Sequence, residues 1–322
     1  MSHTFVRRTR AGAVLSLATA LTLAACSTGN ESSSGSGDNN SGGECRIGMS
    51  QINQTAAFFT QMNEGAEAAA KEAGCELSIA NANNDSAKQS NDIDTFVTQQ
   101  MSAIIVVAID VNGVVPAVKA AKDQGITVIA IDAQLEEGTI DTFVGVDNEK
   151  AGAEAGKWVV DQGMAEGKSY GVVDAKNSFI QNQREDSFRK VVDEAGAVYT
   201  QSVNGENVQE KAATAAQDLV TAQPDLDFVY TTGEPATAGA TAALPADGKT
   251  KVIGWDLTKE VIAGIDSGLV TAVIQQDPKT EGEEAVKEAK AILDGKDPKG
   301  FIDVPITIVT SENVDDYRDI FN

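Results

Sequence analysis

Short apolar runs recur along the chain from residue 46 onward, and a longer segment with helical spacing follows most of them. In Thr127–Ile131 every residue is apolar or β-branched, which is typical of a strand buried on both faces of a parallel sheet. In Phe58–Ala73 the apolar residues fall on one helical face, and Gly74 follows as a C-terminal stop. This alternation predicts parallel sheets with helical crossovers.

The alternating elements form two series, the second beginning near Asn148, and this predicts an α/β fold with two similar lobes. The predicted strands are Arg46–Ser50, Glu76–Ala80, Ala103–Ile109, Thr127–Ile131, Thr142–Val146, Ser169–Asp174, Val198–Ser202, Phe228–Thr231, Lys251–Trp255, Leu269–Gln275 and Ile302–Val309. The predicted helices are Phe58–Ala73, Ser86–Gln100, Val114–Gln124, Asn148–Gly163, Gln183–Ala195, Val208–Ala222, Ala236–Leu244, Lys259–Ser267 and Lys279–Asp294.

Two of the predicted strands end on an aspartate. Thr127–Ile131 stops at Asp132, and Lys251–Trp255 stops at Asp256. Ligands of open α/β sheets bind at the carboxyl ends of strands, where the chain turns into a loop. Because one such tip belongs to each series of elements, we predict that the two lobes face one shared binding site. N-capping of the following loops is the alternative role for both aspartates.

Charge and composition exclude several function classes. The chain of 322 residues has a net charge of −23, which disfavours binding to the phosphates of nucleic acids. Without the first 25 residues, 22 Lys and Arg would remain against 48 acids, a net charge of −26. The single histidine, His3, lies in that segment, so His-based catalysis and His zinc sites are not expected. We therefore expect no enzyme activity, no cofactor and no metal.

The N-terminus is similar to a bacterial lipoprotein signal. Arg7 and Arg8 belong to a basic start, and Ala11–Ala25 is an apolar stretch too short for a comfortable membrane span. Small residues precede Cys26 as in a lipobox, in which the cysteine is lipidated; a plain secretory signal with a chance cysteine is the alternative. Residues 27–43 are rich in Ser, Gly and Asn, a composition typical of a flexible tether. We expect a signal peptide over residues 1–25 and a tether over 26–43.

Two further cysteines, Cys45 and Cys75, each stand at the start of a predicted strand. Successive strands of a βαβ unit are often neighbours, and export would place the chain where disulfides persist. A Cys45–Cys75 disulfide and two free thiols both remain open from the sequence.

From about Cys45 to the C-terminus, the chain resembles the sugar-binding lipoproteins of bacterial ABC importers, in the ribose-binding-like group of type I periplasmic binding proteins. The resemblance implies two Rossmann-like lobes joined by three hinge segments, with a solute held between them and passed to a permease driven by a cytoplasmic ATPase. The matching motifs are Asn53…Phe58-Phe59…Glu64-Gly65, Asn84-Asp85…Ala87-Lys88, Ile129…Asp132…Gln134, Asp147-Asn148, Gln183-Arg184…Phe188, Gly254-Trp255-Asp256, Gln276…Pro278 and Glu312-Asn313-Val314.

The matched positions suit a sugar or polyol. Carboxylates accept hydroxyl protons, Arg donates in a fixed fork, and an aromatic ring packs on the C–H face of a sugar. One of the two adjacent phenylalanines is expected to pack inward, and the sequence does not decide which; Arg184 could instead be solvated, Trp255 could be core, and Gln276 could brace the hinge. The expected ligand-binding residues are Asn53, Phe58, Phe59, Asp132, Arg184, Asn207, Glu234, Trp255, Asp256 and Gln276.

Three positions depart from the pattern of pentose-binding relatives. Asn207 stands where those relatives have an aromatic residue, and Gly233 stands where they have Asn. Ala133 replaces the Arg that ribose-binding relatives place directly after the first aspartate. The resemblance with these departures implies a roomier pocket and a ligand other than ribose.

The resemblance also implies lobe boundaries, partners and a location. We expect residues 44–147 plus 277–302 in the N-terminal lobe and residues 148–276 plus 303–322 in the C-terminal lobe. A monomer, anchored by lipid to the extracytoplasmic face of the bacterial cell membrane, is expected. The rival functions are a sugar-sensing subunit that presents its ligand to a signalling receptor, the effector domain of a transcription regulator, and a carboxylate-based glycosidase. The acidic charge and the signal-like N-terminus disfavour the regulator.

Overall fold

A computed structural model describes residues 45–54 and 56–321. The predicted signal, the tether and the lipid site at Cys26 lie outside the described residues. Among those residues, no helix combines the length and the apolar composition needed to cross a membrane.

The described residues form twelve strands and nine α-helices. The strands are β1 (Arg46–Gln51), β2 (Glu76–Asn81), β3 (Ala103–Val106), β4 (Thr127–Ile131), β5 (Thr142–Gly145), β6 (Ser169–Asp174), β7 (Val198–Asn204), β8 (Phe228–Thr231), β9 (Lys251–Trp255), β10 (Val270–Gln275), β11 (Gly300–Asp303) and β12 (Thr307–Val309). The helices are α1 (Ala57–Ala73), α2 (Ser86–Thr98), α3 (Val115–Asp123), α4 (Asn148–Asp161), α5 (Phe179–Glu194), α6 (Gln209–Ala222), α7 (Glu234–Ala243), α8 (Lys259–Asp266) and α9 (Pro278–Leu293).

The strands build two six-stranded sheets, which confirms the predicted α/β fold with two lobes. The first sheet has the order β11-β5-β4-β3-β1-β2, and the second has the order β12-β10-β9-β8-β6-β7. Every strand pair is parallel except β10 with β12. We call the first sheet with α1, α2, α3 and α9 the first lobe, and the second sheet with α4 to α8 the second lobe. The chain leaves the first lobe after β5, returns after β10, and crosses again between β11 and β12.

Helix α9 packs directly on α1, and this close approach requires glycine at two positions. A Cβ atom added at Gly65 would lie 2.0 Å from the carbonyl oxygen of Lys279, and one at Gly282 would lie 2.1 Å from that of Met62. In the second lobe, α4 packs on α5 in the same way at Gly152, where a Cβ would lie 2.5 Å from the carbonyl oxygen of Arg184. Helices α4 and α9, each of which follows a crossing between the lobes, are thus held tightly against a neighbouring helix of the same lobe. The first turn of each borders the space between the lobes.

Several element boundaries differ from the sequence-based expectations. Strand β3 ends at Val106, because the side chain of Gln89 takes over the backbone pairing beyond it: its amide donates to the carbonyl of Val107 and accepts from the N–H of Ile109. Helix α5 begins at Phe179, earlier than predicted. The predicted final strand Ile302–Val309 is wrong, since β11 and β12 belong to different sheets and a crossing that contains Pro305, which lacks a backbone N–H, separates them.

A disulfide joins Cys45 to Cys75 in the structure, with a separation of 30 residues along the chain. The N–H of Glu76 donates to the carbonyl of Cys45, so the two cysteines lie side by side where β1 and β2 begin. The bond therefore ties the first strand of the described chain to the edge strand of its sheet.

Candidate ligand-binding site

Asp132 and Asp256 occupy equivalent positions in the two lobes. Each follows the last residue of a buried strand, and each has a left-handed backbone, with φ of 63° and 60°. The N–H of Asp132 donates to the carbonyl of Val144, and that of Asp256 donates to Ile274, both at 3.0 Å. A non-glycine residue in this region costs about 1–2 kcal/mol and is often found at functional sites. The two strand tips are therefore held in the same strained geometry.

Arg184 is the central basic group of the site. Its side chain is buried, and its three guanidinium nitrogens donate to Oδ1 of Asn148 at 2.7 Å, to the carbonyl of Thr232 at 3.3 Å and to Oε1 of Gln276 at 3.2 Å. The amide nitrogen of Gln276 donates in turn to both carboxylate oxygens of Asp256, at 3.1 and 3.0 Å. Gln276 thus links the arginine to the second-lobe aspartate at the crossing that follows β10.

Trp255 supports Arg184 and does not line the cleft. The ring is fully buried, its indole N–H donates to the hydroxyl of Tyr230 at 2.8 Å, and the guanidinium carbon of Arg184 lies 3.6 Å from the ring centroid. A planar guanidinium stacks well on an indole face, so Trp255 fixes the position of the cation. Trp255 thus lies behind the cation in this structure, and a direct contact between Trp255 and a ligand stays a prediction.

The charged groups of the site act on one another. Burial raises the pKa of Asp132; Arg184 opposes this shift and Asp256 adds to it. Burial likewise raises the pKa of Asp256, against the effects of Arg184 and of the hydrogen bonds from Gln276. Burial lowers the pKa of Arg184, while Asp256 and, more weakly, Asp132 raise it. One buried cation therefore offsets the charge of two aspartates, one from each lobe.

A cavity of about 340 Å³, which we call the first chamber, lies between the start of α1 and the strand tips of the second lobe. Phe58 and Gln61 line it from one side, and Asp256 and Glu234 from the other. Glu234 is exposed, and partial burial raises its pKa, with Asp256 and Glu260 adding to the shift. Phe59 is not among the lining residues; its ring meets that of Phe58 edge-on at 5.4 Å.

A second chamber of about 1020 Å³ lies beside Asp132. Ala133 and Phe143 line it from the first lobe, and Asn148 and Asn207 from the second. Asn207 is exposed in a left-handed turn, and its Oδ1 accepts from the side chain of Gln181 at 2.8 Å. Because Ala133 has only a methyl group, the floor beside Asp132 is open.

Asn53 stands apart from both chambers. Its Oδ1 accepts from the N–H of Ala56 at 3.1 Å, and its amide nitrogen donates to Asn84 at 3.3 Å. These bonds shape the turn before α1, which places Phe58. The described part of the chain therefore shows Asn53 as a positioning residue for this turn, and a direct contact with ligand stays a prediction.

Comparisons with known proteins agree with this architecture. A family described as "Periplasmic binding protein domain" matches residues 47–297. The chain belongs to this family of periplasmic binding proteins. The ribose import binding protein of Bacillus subtilis is 28% identical over 270 residues, which cover 84% of this chain and 88% of that protein. A xylitol-binding protein of Mycolicibacterium smegmatis is 25% identical, covering 84% and 78%.

Solved structures show the same fold. An ABC transporter solute-binding protein from Mycobacterium smegmatis with bound glycerol is 31% identical, with a TM-score of 0.71 and coverage of 85% of this chain and 96% of that one. A periplasmic ribose ABC transporter protein from Conexibacter woesei has a TM-score of 0.79 at 24% identity, covering 86% and 95%. The two-lobed form of this periplasmic binding protein is thus shared with solute-binding proteins.

The structure adds one group that sequence reasoning missed in this periplasmic binding protein. Glu281, in the first turn of α9, is fully buried, and neither carboxylate oxygen has a hydrogen-bond partner among the described residues. Burial raises its pKa well above the ordinary range, and Asp132, Asp256 and Asp277 add to this shift against Arg184. Acids are common in the first turn of a helix, so the sequence gives no sign that Glu281 is unusual. Its burial is seen only in the folded protein.

Proposed function

We propose that this protein is the solute-binding component of an ABC importer and that it binds a monosaccharide or polyol between its two lobes. The observation that carries the proposal is the pair Asp132 and Asp256, at equivalent strand tips of opposite lobes, with Arg184 close enough to interact electrostatically with both. A ligand that bridges the two carboxylates would hold the lobes together.

The chemistry of the pocket suits hydroxylated molecules. Ionised carboxylates accept hydrogen bonds from adjacent hydroxyl groups, and the ring of Phe58 offers an apolar face to C–H groups. Relatives whose names refer to ribose and xylitol, and a neighbour solved with glycerol, support this ligand class. Ala133, beside the first aspartate, supports a ligand other than ribose.

The mechanism we propose is hinge closure. Residues 44–147 plus 277–302 would move as one lobe and residues 148–276 plus 303–322 as the other, and the ligand would stabilise the closed form. A membrane permease would recognise this form through both lobes, and a cytoplasmic ATPase would drive release and transport. The protein would carry out no chemical reaction on its ligand.

We further propose that the protein acts as a monomer on the extracytoplasmic face of the bacterial cell membrane. The apolar segment before Cys26 and the small residues that precede this cysteine support export and lipid attachment. Metabolic labelling of producing cells with a clickable fatty acid tests this: Cys26→Ala should abolish the label. Label that persists in Cys26→Ala would refute the anchor.

Ligand binding is tested by a thermal-shift screen of the purified protein against pentoses, hexoses and polyols. A binding ligand should raise the free energy of unfolding by RT ln(1 + [L]/Kd), about 2.7 kcal/mol at a hundredfold excess over Kd. Asp132→Ala and Asp256→Ala should each weaken binding by about 2–4 kcal/mol, because ligand hydroxyls would remain buried and unpaired. The exposed Asp123→Ala serves as the control. Unchanged affinity in both site variants would refute the site.

A further inference from the structure

The second chamber is lined by acids alone among its charged residues. Asp110, Asp132, Glu136 and Asp147 contribute to its wall, and no Lys or Arg is among the described residues that line it. The first chamber has Asp256, Glu234 and only one basic lining residue, Lys259. The cleft therefore offers a ligand far more negative than positive charge.

Three of the four acids in the second chamber already have partners. Asp110 accepts from the N–H of Asn112 at 2.9 Å, Asp147 caps α4 through the N–H of Lys150 at 3.0 Å, and Glu136 pairs with Lys119 at 3.1 Å.

Asp132 differs, because its carboxylate accepts no hydrogen bond from any residue in the described ranges. It is only partly buried, so it can reach a ligand in the second chamber. The residue that follows it, Ala133, brings no charge that could compensate it.

Arg184 does not make a direct ion pair with Asp132. All three of its guanidinium nitrogens donate to neutral oxygens, those of Asn148, Thr232 and Gln276. Its stacking on Trp255 holds it in that place. The guanidinium therefore lessens the negative potential at Asp132 only from a distance.

Glu281 is a further acid that interacts with the two aspartates, and its raised pKa favours the neutral form, so it adds no cation and no strong negative charge. It is fully buried, without a partner for either oxygen in the described part of the chain, and it interacts electrostatically with Asp132, Asp256 and Asp277. The other elements packed on α9 present uncharged side chains there: the buried residues of α1 and the strands β3, β4 and β5 contain no acid or base. Arg184 is the cation that acts on all three acids, and it makes no hydrogen bond to any of them.

We propose that the ligand carries a protonated amine in addition to hydroxyl groups, as in an amino sugar or an amino-polyol, and that the ammonium group lies beside Asp132 in the second chamber. This rests on the proposed function, since it names the class of solute for the same cleft. Three N–H donors of an ammonium satisfy the carboxylate of Asp132 by charge-assisted bonds. The exposed ring of Phe179, which lines the same chamber, offers a face to the cation.

The test compares matched ligands by isothermal titration calorimetry at pH 7 in low salt. Each set contains a neutral hexose, its 2-amino form and its N-acetylated form, for glucose, galactose and mannose; sorbitol and 1-amino-1-deoxysorbitol form a fourth set. Because an ammonium adds direct Coulomb attraction to the hydrogen bond that a hydroxyl would also donate to the carboxylate, the amine should bind about tenfold or more tightly than its neutral partner. The N-acetylated form, which has the nitrogen without the charge, should bind no better than the neutral sugar.

The variant Ala133→Arg sharpens the test. It places a guanidinium next to Asp132, so the affinity for an amine divided by the affinity for its neutral partner should fall to about one. In the unchanged protein, raised salt should lower the same ratio, because salt screens the attraction between charges. If neutral members bind and the amines bind equally or more weakly, the inference is overturned and the proposed function stands. If an N-acetylated form matches its amine, charge is not the cause and the inference also fails. If no member of any set binds and the screen of pentoses, hexoses and polyols is negative as well, the proposed function fails with it.

Discussion

Replacement of Arg184 by Met should strongly destabilise the protein, even without ligand. The change keeps an apolar side chain over Trp255 but removes the three donors to Asn148, Thr232 and Gln276. These acceptors are buried in the structure, so water cannot readily replace the lost bonds. The substitution also removes the cation that lowers the pKa values of Asp132 and Asp256.

The magnitude follows from these losses. A buried polar group that loses its partner costs about 1–3 kcal/mol, and removal of one member of a buried charge cluster costs about 3–5 kcal/mol. The lower desolvation cost of Met offsets part of this total. We therefore expect the free energy of unfolding to fall by about 3–5 kcal/mol at neutral pH, and by less in acid, where protonated aspartates need no counter-ion.

Arg189 provides a matched control on the same helix. Its guanidinium also lies over an aromatic ring, 3.7 Å from the centroid of Tyr199, but about a third of its side chain is exposed. Arg189→Met also removes an ion pair of 3.6 Å with the buried Glu185, which keeps Lys176 as a partner at 2.6 Å, so it should cost less than Arg184→Met, about 1–2 kcal/mol. Urea unfolding followed by circular dichroism measures both variants against the unchanged protein. A loss in Arg184→Met no larger than that in Arg189→Met would refute the reasoning.

Three further predictions concern the first lobe. Glu281 has a higher pKa in the folded protein than in the unfolded chain, so the unchanged protein should lose stability as pH rises above the ordinary Glu value of 4.5. Glu281→Gln cannot ionise, so its free energy of unfolding should exceed that of the unchanged protein by an amount that grows with pH. A difference in unfolding free energy that stays constant with pH would contradict this. Cys45→Ser with Cys75→Ser should lower stability by about 3–4 kcal/mol through the closed loop of 30 residues, and reductant should then have no effect on the variant in a thermal melt. Gly282→Ala should destabilise by about 1–3 kcal/mol in urea, despite the better helix propensity of Ala, whereas Lys287→Ala on the exposed side of α9 should change little.

Local pattern was sufficient for the order of elements. Strands buried on both faces, such as β4, are continuous apolar runs, and α2 begins after Asp85, whose side chain accepts from the N–H groups of Ala87 and Lys88. The strand pattern merged β11 and β12, because residues on both sides of the break favour strand and pattern alone does not show which sheet a strand joins. The expected lobe boundary between residues 302 and 303 nevertheless lies at the end of β11.

The features of the site also divide into those that follow from neighbouring residues in the chain and those that depend on packing. That Asp132 and Asp256 end equivalent strands could be inferred from the chain, because the apolar run and the acid after it are neighbours in sequence. The sequence left open whether Trp255 is core or faces ligand, and the structure buries its ring beside Tyr230. The role of Glu281 depends on the contact between α9 and α1, two helices at opposite ends of the lobe's sequence.

The two-lobed α/β fold, the pair of aspartates at strand tips and the excess of negative charge could all be predicted from the chain, because each depends on neighbouring residues or on composition. Folding in three dimensions sets how charge is distributed around the cleft. It buried Arg184 among neutral acceptors, left the carboxylate of Asp132 without a hydrogen bond in the described residues, and placed Glu281 beneath both aspartates. The physical reason is that desolvation and Coulomb interaction depend on distance in space, and the groups concerned come from α5, β4, β9 and α9.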